Sequence, residues 1–280
     1  MTANQTLTDP YARPLPHPPI RFLYRLNPLS KLAAPLPAML ALVFLRDIRT
    51  PLLFIALGLV ILLVGASLTR RMMLLVFVGL PVVVAVMSFS FGLWTDAAHV
   101  DRSVLLFQIG DYRFYLGALL VGLATALRLA SLLVLAFIGG FTTTGPDFIR
   151  SMIQQLHVPY RIGYTALAAY RFVPRFGHEL EVIRSAHRVR GMAGGRGPVA
   201  GVRRYAGYIV PLLAGAIRHA ERVALAMDSR AFGAHPERTE RTLIPFRTRD
   251  WVFLALFWLV TIGLLWWSLA GGASVAGLPD

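Results

Sequence analysis

Long apolar runs free of charge punctuate this chain. Residues 52–69, 72–95 and 251–270 carry no ionised side chain, and residues 114–141 are apolar apart from Arg128. A helix needs about 20 apolar residues to cross about 30 Å of hydrocarbon, so each run is predicted to span a membrane. Pro81 marks a kink in the second run. Trp251, Trp266 and Trp267 lie near the ends of the last, where headgroup interfaces favour indole rings. A fifth run, residues 29–45, is shorter and holds Pro35 and Pro37. It reads as a short or broken span, with a re-entrant or interfacial segment as the alternative. The preceding residues hold Pro10, Pro14, Pro16, Pro18, Pro19 and Pro28 and lack the apolar core of a signal peptide. A mostly irregular leader is expected there, with an interfacial piece around residues 20–24.

A different pattern fills residues 149–250. Thr142, Thr143, Thr144, Gly145 and Pro146 form a helix-start cluster, and Asp147 suits a first turn. The short helix this predicts stops before Val158-Pro159. A long helix follows over residues 162–189, bent at Pro174, with Leu180, Ile183 and His187 on one stripe and Val182, Ala186 and Val189 on the next. A third covers residues 205–232, where Ile209, Leu213, Ile217, Ala220, Ala224, Met227 and Ala231 recur every three or four positions. These helices are too polar to span and too apolar to stand alone. They suit either an anionic lipid surface or a docked protein partner.

Composition sharpens the class. Of 280 residues, 56% are hydrophobic and 15% charged, against about 25% charged in soluble domains. With a mean hydropathy of +0.61, this excludes an ordinary soluble enzyme and a disordered chain. The absence of cysteine excludes thiolate catalysis and cysteine-ligated metals. The net charge is +14, and residues 149–250 hold 17 of the 28 basic and 7 of the 14 acidic residues. Arg13, Arg21, Arg25, Lys31, Arg70 and Arg71 fall on one side of the predicted spans, and Arg46, Arg49, Arg102 and Arg113 on the other. Positive charge on short loops favours the cytoplasm, which places the N-terminus and the basic segment inside and the C-terminus outside. The expected fold is all-α: a polytopic membrane protein of about five transmembrane helices with a cytoplasmic helical domain before the last. Its parts are a leader (1–28), a membrane domain with four spans (29–145), the cytoplasmic helices (146–250), and the last span with a short tail (251–280).

Several groups invite chemistry. Two similar stretches end the two long helices: Arg188-Val189-Arg190-Gly191 and Asp228-Ser229-Arg230-Ala231. A small neighbour lets a partner backbone approach, and the guanidinium fork matches a carboxylate; a solvated arginine capping a helix end is the simpler reading. Arg128, central in its span, faces no carboxylate in another span, and Ser88, Ser90, Ser131, backbone carbonyls or a second membrane subunit would have to satisfy it. Its expected role is structural support of the bundle. Asp96, His99 and Asp101 could ligate a divalent metal, but a solvated loop explains them better. The glycine-rich residues 191–198 follow a helix and lack Gly-Lys-Ser/Thr, so they read as an inter-helix turn, not a phosphate loop. No catalytic or metal site is expected. The basic face lacks interleaved aromatic rings, which argues against nucleic acid.

In order and spacing, the chain resembles the transmembrane T component of energy-coupling-factor transporters, of the EcfT and CbiQ type. The likeness runs from Asn27-Pro28-Leu29-Ser30-Lys31-Leu32 through Ala126-Leu127-Arg128-Leu129, Thr142 to Asp147, Leu156-His157-Val158-Pro159-Tyr160-Arg161 and Arg171-Phe172-Val173-Pro174. His187-Arg188-Val189-Arg190-Gly191 is similar to the family's first Ala-Arg-Gly motif. Arg218, Glu221 and Ala226 to Gly233 resemble the second. Val189, Ser229 and Ala231 depart from the usual small residues, while both arginines are kept. The resemblance implies a non-catalytic subunit of a bacterial or archaeal inner-membrane importer, set between two ABC-type ATPases and a membrane S component that binds a vitamin or transition-metal ion. Val189, Arg190, Gly191, Ser229, Arg230 and Ala231 would dock the ATPases, supported by Arg188, Arg218 and Glu221 on the coupling helices. ATP and magnesium would belong to those ATPases, with no cofactor in this chain. Two other classes stay open on the residues alone: a stand-alone secondary transporter or channel, and a membrane enzyme using Asp96, His99 and Asp101.

Overall fold

Prolines and small polar caps decide where the helices of this protein begin and break. The computed structural model describes residues 21–45, 47–95, 104–109, 112–191, 197–236, 239–240 and 242–270. These form two compact units: Thr144–Pro245, and the segments before and after it.

In the membrane unit, Asn27 caps α1 (Pro28–Ala33), its Oδ1 accepting the Leu29 N–H at 2.9 Å, with Pro28 in the first turn where a missing N–H costs nothing. Pro35 interrupts the path, and α2 (Leu36–Phe44) resumes it. Asp47 then starts α3 (Arg49–Gly65) by accepting the Thr50 N–H at 2.7 Å. A continuous helix follows: α4 (Arg70–Leu74), a π-helical turn (Leu75–Gly79) and α5 (Leu80–Trp94). Pro81 explains the wide turn: it lacks an N–H and would strike the carbonyl four residues back, so the backbone opens just before it. A two-stranded antiparallel hairpin, β1 (Leu105–Ile109) and β2 (Tyr112–Tyr115), precedes α6 (Leu116–Thr142). The run 114–141 therefore begins its helix two residues later than expected, because Phe114 and Tyr115 are drawn into the strand. The last helix of the unit is α10 (Thr248–Ala270).

Among the described residues three helices are long and apolar enough to cross a membrane: Arg70–Trp94, Leu116–Thr142 and Thr248–Ala270; Pro28–Phe44 and Arg49–Gly65 are shorter. At one end of the unit, Asp250 at the start of α10 accepts the Asn27 N–H at 2.6 Å. At the other, the Thr50 and Ser268 hydroxyls bond to each other beside Asp47. The stretch from Asn27 to Thr50 thus meets α10 at two points 18 positions apart, about 27 Å at the helical rise.

Helix α6 is the hub. Of its membrane-crossing window 44% is buried, against 17% for Arg70–Trp94. Small residues let neighbours approach its backbone, the usual device where lipid removes any hydrophobic drive between helices. A Cβ on Gly122 would overlap the Ser88 carbonyl oxygen and lie 2.7 Å from the Gly92 nitrogen, and one on Gly58 would lie 2.6 Å from Val134 Cγ1. Before α1, a 3-10 turn (Phe22–Arg25) occupies the expected interfacial piece. Arg21 donates to the Leu63 and Val64 carbonyls at the end of α3, and Leu23 is fully buried.

Candidate docking surface

Among its described residues the second unit holds three helices, α7 (Gly145–Gln155), α8 (Tyr160–Val189) and α9 (Pro198–Asp228). Thr144 and Asp147 form a reciprocal cap at the start of α7. The Thr144 hydroxyl donates to Asp147 Oδ2 at 2.6 Å and accepts the Asp147 N–H at 3.3 Å. His157, with φ of 52°, and Pro159 separate α7 from α8. The expected third helix begins seven residues early, because Pro198 is suited to a first turn, and it stops at Asp228.

Aromatic pairs fix how α8 and α9 lie together. Phe172 stacks on His219 with centroids 4.4 Å apart, and His187 meets Tyr208 edge-on at 5.2 Å. The Arg184 guanidinium lies 5.7 Å and 5.9 Å from the Tyr205 and Tyr208 ring centres. As position rises along α8 its partner on α9 falls, so the helices are antiparallel. Arg190 therefore sits beside the start of α9, and Arg230 beside the start of α8. Tyr208, which meets His187 three residues before Arg190, lies 22 positions before Arg230, so the two arginines are separated by more than about 33 Å at the helical rise.

The two helix ends share one geometry. The Gly191 N–H donates to the Arg188 carbonyl at 3.1 Å, and Gly191 has φ of 71°. The Ala231 N–H donates to the Asp228 carbonyl at 2.9 Å, the Phe232 N–H to the Met227 carbonyl at 3.1 Å, and Ala231 has φ of 55°. Each arginine is the residue before a left-handed one in a tight turn, and the ending at Ala231 carries both bonds of a Schellman motif. Both arginines are exposed, and among the described residues neither guanidinium has an ion-pair partner.

Their supports differ. The Arg230 turn is latched onto the start of α8. Arg161 donates to the Gly233 carbonyl at 2.6 Å, Tyr160 to the His235 carbonyl at 2.6 Å, and Phe232 meets the Tyr160 ring edge-on at 5.7 Å. Beyond it, Tyr164 donates to Glu240 at 2.8 Å. Gln154 on α7 then holds the returning chain by donating to the Thr242 carbonyl and accepting the Ile244 N–H, each at 2.8 Å. Arg230 also edges a cleft of about 660 Å³ between α8 and α9, whose rim carries Arg150, Arg171 and Arg175 with Glu240 over a floor of Leu167 and Phe172.

The other expected residues scatter. Arg188, Arg218 and Glu221 are exposed, and no hydrogen bond or ion pair among the described residues joins them to either motif arginine. Val189 is 89% exposed, an apolar side chain presented to solvent beside Arg190. Arg128 lies in α6 with a buried Nε that has no partner among the described residues; Ser131 donates instead to the Arg128 carbonyl at 2.7 Å. Asp96, His99 and Asp101 lie outside the described residues, as do residues 192–196 of the glycine-rich stretch. Among the described residues no group of three His, Asp or Glu side chains is placed to hold a metal. Sequence reasoning overlooked the latch around Arg161 and the polar cluster of Asn27, Ser30, Lys31 and Asp250. Arg161 and Asn27 to Lys31 fall in stretches noted for resemblance, but their partners in space, among them Asp250, are far away in sequence.

A family model for CbiQ, described as a cobalt transport protein, matches residues 20–241. The chain is 27% identical to the energy-coupling factor transporter transmembrane protein EcfT of Bacillus subtilis over 242 residues, 83% of this chain and 89% of that one. It is 30% identical to the protein of the same description from Limosilactobacillus fermentum over 185 residues, 61% and 69% of the two chains. A Streptococcus equi protein so described is 23% identical over 250 residues, 86% and 90% of the two.

Proposed function

Because the chain belongs to the CbiQ cobalt transport protein family, we propose that it is the transmembrane energy-coupling subunit of an energy-coupling-factor importer. It sits in the inner membrane with its N-terminus and α7–α9 in the cytoplasm. Arg190 and Arg230 each dock an ABC-type ATPase. ATP and magnesium act in those ATPases, and this chain catalyses nothing. Closure of the ATPases moves α8 and α9, and that motion acts on a membrane S component carrying a vitamin or transition-metal ion.

The observation that supports this reading is the matched pair of arginine turns at opposite ends of an antiparallel helix pair. Two alike anchors more than about 33 Å apart at the helical rise suit two separate, related partners better than one. Each turn offers a five-donor fork to a carboxylate. Removing one side of such a desolvated pair costs about 2–5 kcal/mol, enough to uncouple a motor that the membrane subunit cannot replace.

Co-purification tests it. The wild-type chain should bring down two ATPase subunits, and the double variant Arg190→Glu/Arg230→Glu should bring down none. Stoichiometric ATPase binding by the double variant would remove the docking role.

A further inference from the structure

We infer that Asn27, Ser30 and Lys31 form a clamp fixing both points where the chain leaves the membrane bundle for the arginine-bearing unit, making Lys31 and Asp250 positioning residues for energy coupling. The inference rests on the coupling reading above.

The chain leaves the bundle after Thr143 and returns at Phe246, so these crossings are the two covalent routes between the units. On the outgoing side, Lys31 Nζ donates to the Thr142 carbonyl at 2.7 Å, at the carbonyl end of α6 where a cationic donor is favoured. On the returning side, the Arg247 N–H donates to Asp250 Oδ2 at 2.8 Å. Asp250 Oδ1 in turn accepts the Asn27 N–H at 2.6 Å, and the Ser30 hydroxyl is shared between the Asn27 carbonyl at 2.8 Å and Asp250 Oδ1 at 3.3 Å. Five consecutive residues thus hold both crossings.

The enclosure is tight. Lys31 is 2% exposed, Asp250 1% and Ser30 0%. A Cβ on Gly139 would lie 2.6 Å from Leu32 Cδ2, so the missing side chain lets α1 pack through Leu32 against the last turns of α6. Polar groups this buried cost stability unless every bond is made, and apolar packing would join three greasy helices at lower cost. Polar bonds have a direction that apolar contact lacks. At the two crossings they fix where the backbone emerges, as a lever needs at its pivot.

The test uses the full chain in nanodiscs for amide exchange and the assembled complex with its ATPases and S component in proteoliposomes for uptake per ATP hydrolysed. Lys31→Met should raise exchange at residues 142–144 at least tenfold while residues 126–135 stay protected. It should keep ATPase binding and lower uptake per ATP several-fold, and Lys31→Arg should restore both. Ser30→Ala should loosen residues 247–251 and leave 142–144 unchanged. Should Lys31→Met fail to fold, Ser30→Ala decides by the same two readouts. Wild-type exchange at the crossings, equal loosening of residues 126–135, or loosened crossings with wild-type uptake per ATP would each overturn the clamp. If the wild-type chain bound no ATPase, the coupling reading would fall with it, while the exchange pattern would still show whether the crossings are held.

Discussion

Arg190 and Arg230 occupy the same place in two helix endings, each immediately before a residue in the left-handed region, Gly191 at φ 71° and Ala231 at φ 55°. Glycine takes that conformation freely, whereas a Cβ costs about 1–2 kcal/mol there. Ala231→Gly should therefore tighten the second ending by about 0.5–1 kcal/mol, and Gly191→Ala should loosen the first by a similar amount. Amide exchange at Phe232, whose N–H closes the second turn on Met227, reads the first effect, slowing about threefold.

Opposite signs are expected from one substitution at two glycines of α6. Gly122→Ala would drive a methyl group into the α5 backbone at Ser88 and Gly92, and backbone cannot swing aside as a side chain can. A loss of about 1–3 kcal/mol follows from such overpacking. Gly140 has nothing within 4 Å of its would-be Cβ, so Gly140→Ala should gain about 0.5–1 kcal/mol of helix stability. Thermal unfolding of the full chain in detergent should show the first variant melting below wild type and the second above.

How much of this could be read along the chain depends on the range of the forces involved. The cap at Thr144, the Pro159 stop and the apolar spans are local, so Thr144, Asp147 and the run 72–95 predicted their elements nearly to the residue. The end of α9 was misjudged because the apolar spacing continues through Ala231, although the backbone turns at Ser229 to form the ending. The hairpin before α6 was missed because its β-prone residues adjoin a longer apolar run. The sequence showed two similar arginines but not that their helices run antiparallel, since Phe172 and His219 are 47 positions apart. Lys31 looked like an ordinary flanking charge. Its burial under Thr142, 111 positions away, is a tertiary fact that no local pattern carries.

Arg128 makes a prediction of unusual sign. Its Nε is buried within α6 without a partner among the described residues, and such an unsatisfied donor costs about 1–3 kcal/mol. Arg128→Met keeps most of the volume and removes the donor. The isolated chain should melt at or above the wild-type temperature, by a few degrees for each kcal/mol regained. A lower melting temperature would mean that the guanidinium ties the bundle together.

The latch at Gly233 gives the two anchors unequal dependence on the rest of their unit. Arg161 holds the Gly233 carbonyl at 2.6 Å, two residues beyond the Ala231 turn, while the Arg190 turn ends α8 with its arginine and Val189 exposed. The Arg161 contact is exposed, so its direct contribution to stability is small, about 1 kcal/mol or less. Its effect on docking should be larger, because a loosened turn must be ordered again when a partner grips Arg230. Arg161→Ala is therefore expected to weaken ATPase binding several-fold with little change in melting temperature. Its partners in a double-mutant cycle should differ. Combined with Arg190→Glu the losses should add, since the two sites lie at opposite ends of the helix pair. Combined with Arg230→Glu no further loss is expected, since the turn Arg161 steadies would no longer be gripped. Equilibrium binding of the purified chain to the ATPase pair measures all four corners, and additivity with Arg230→Glu would show that Arg161 acts on its own.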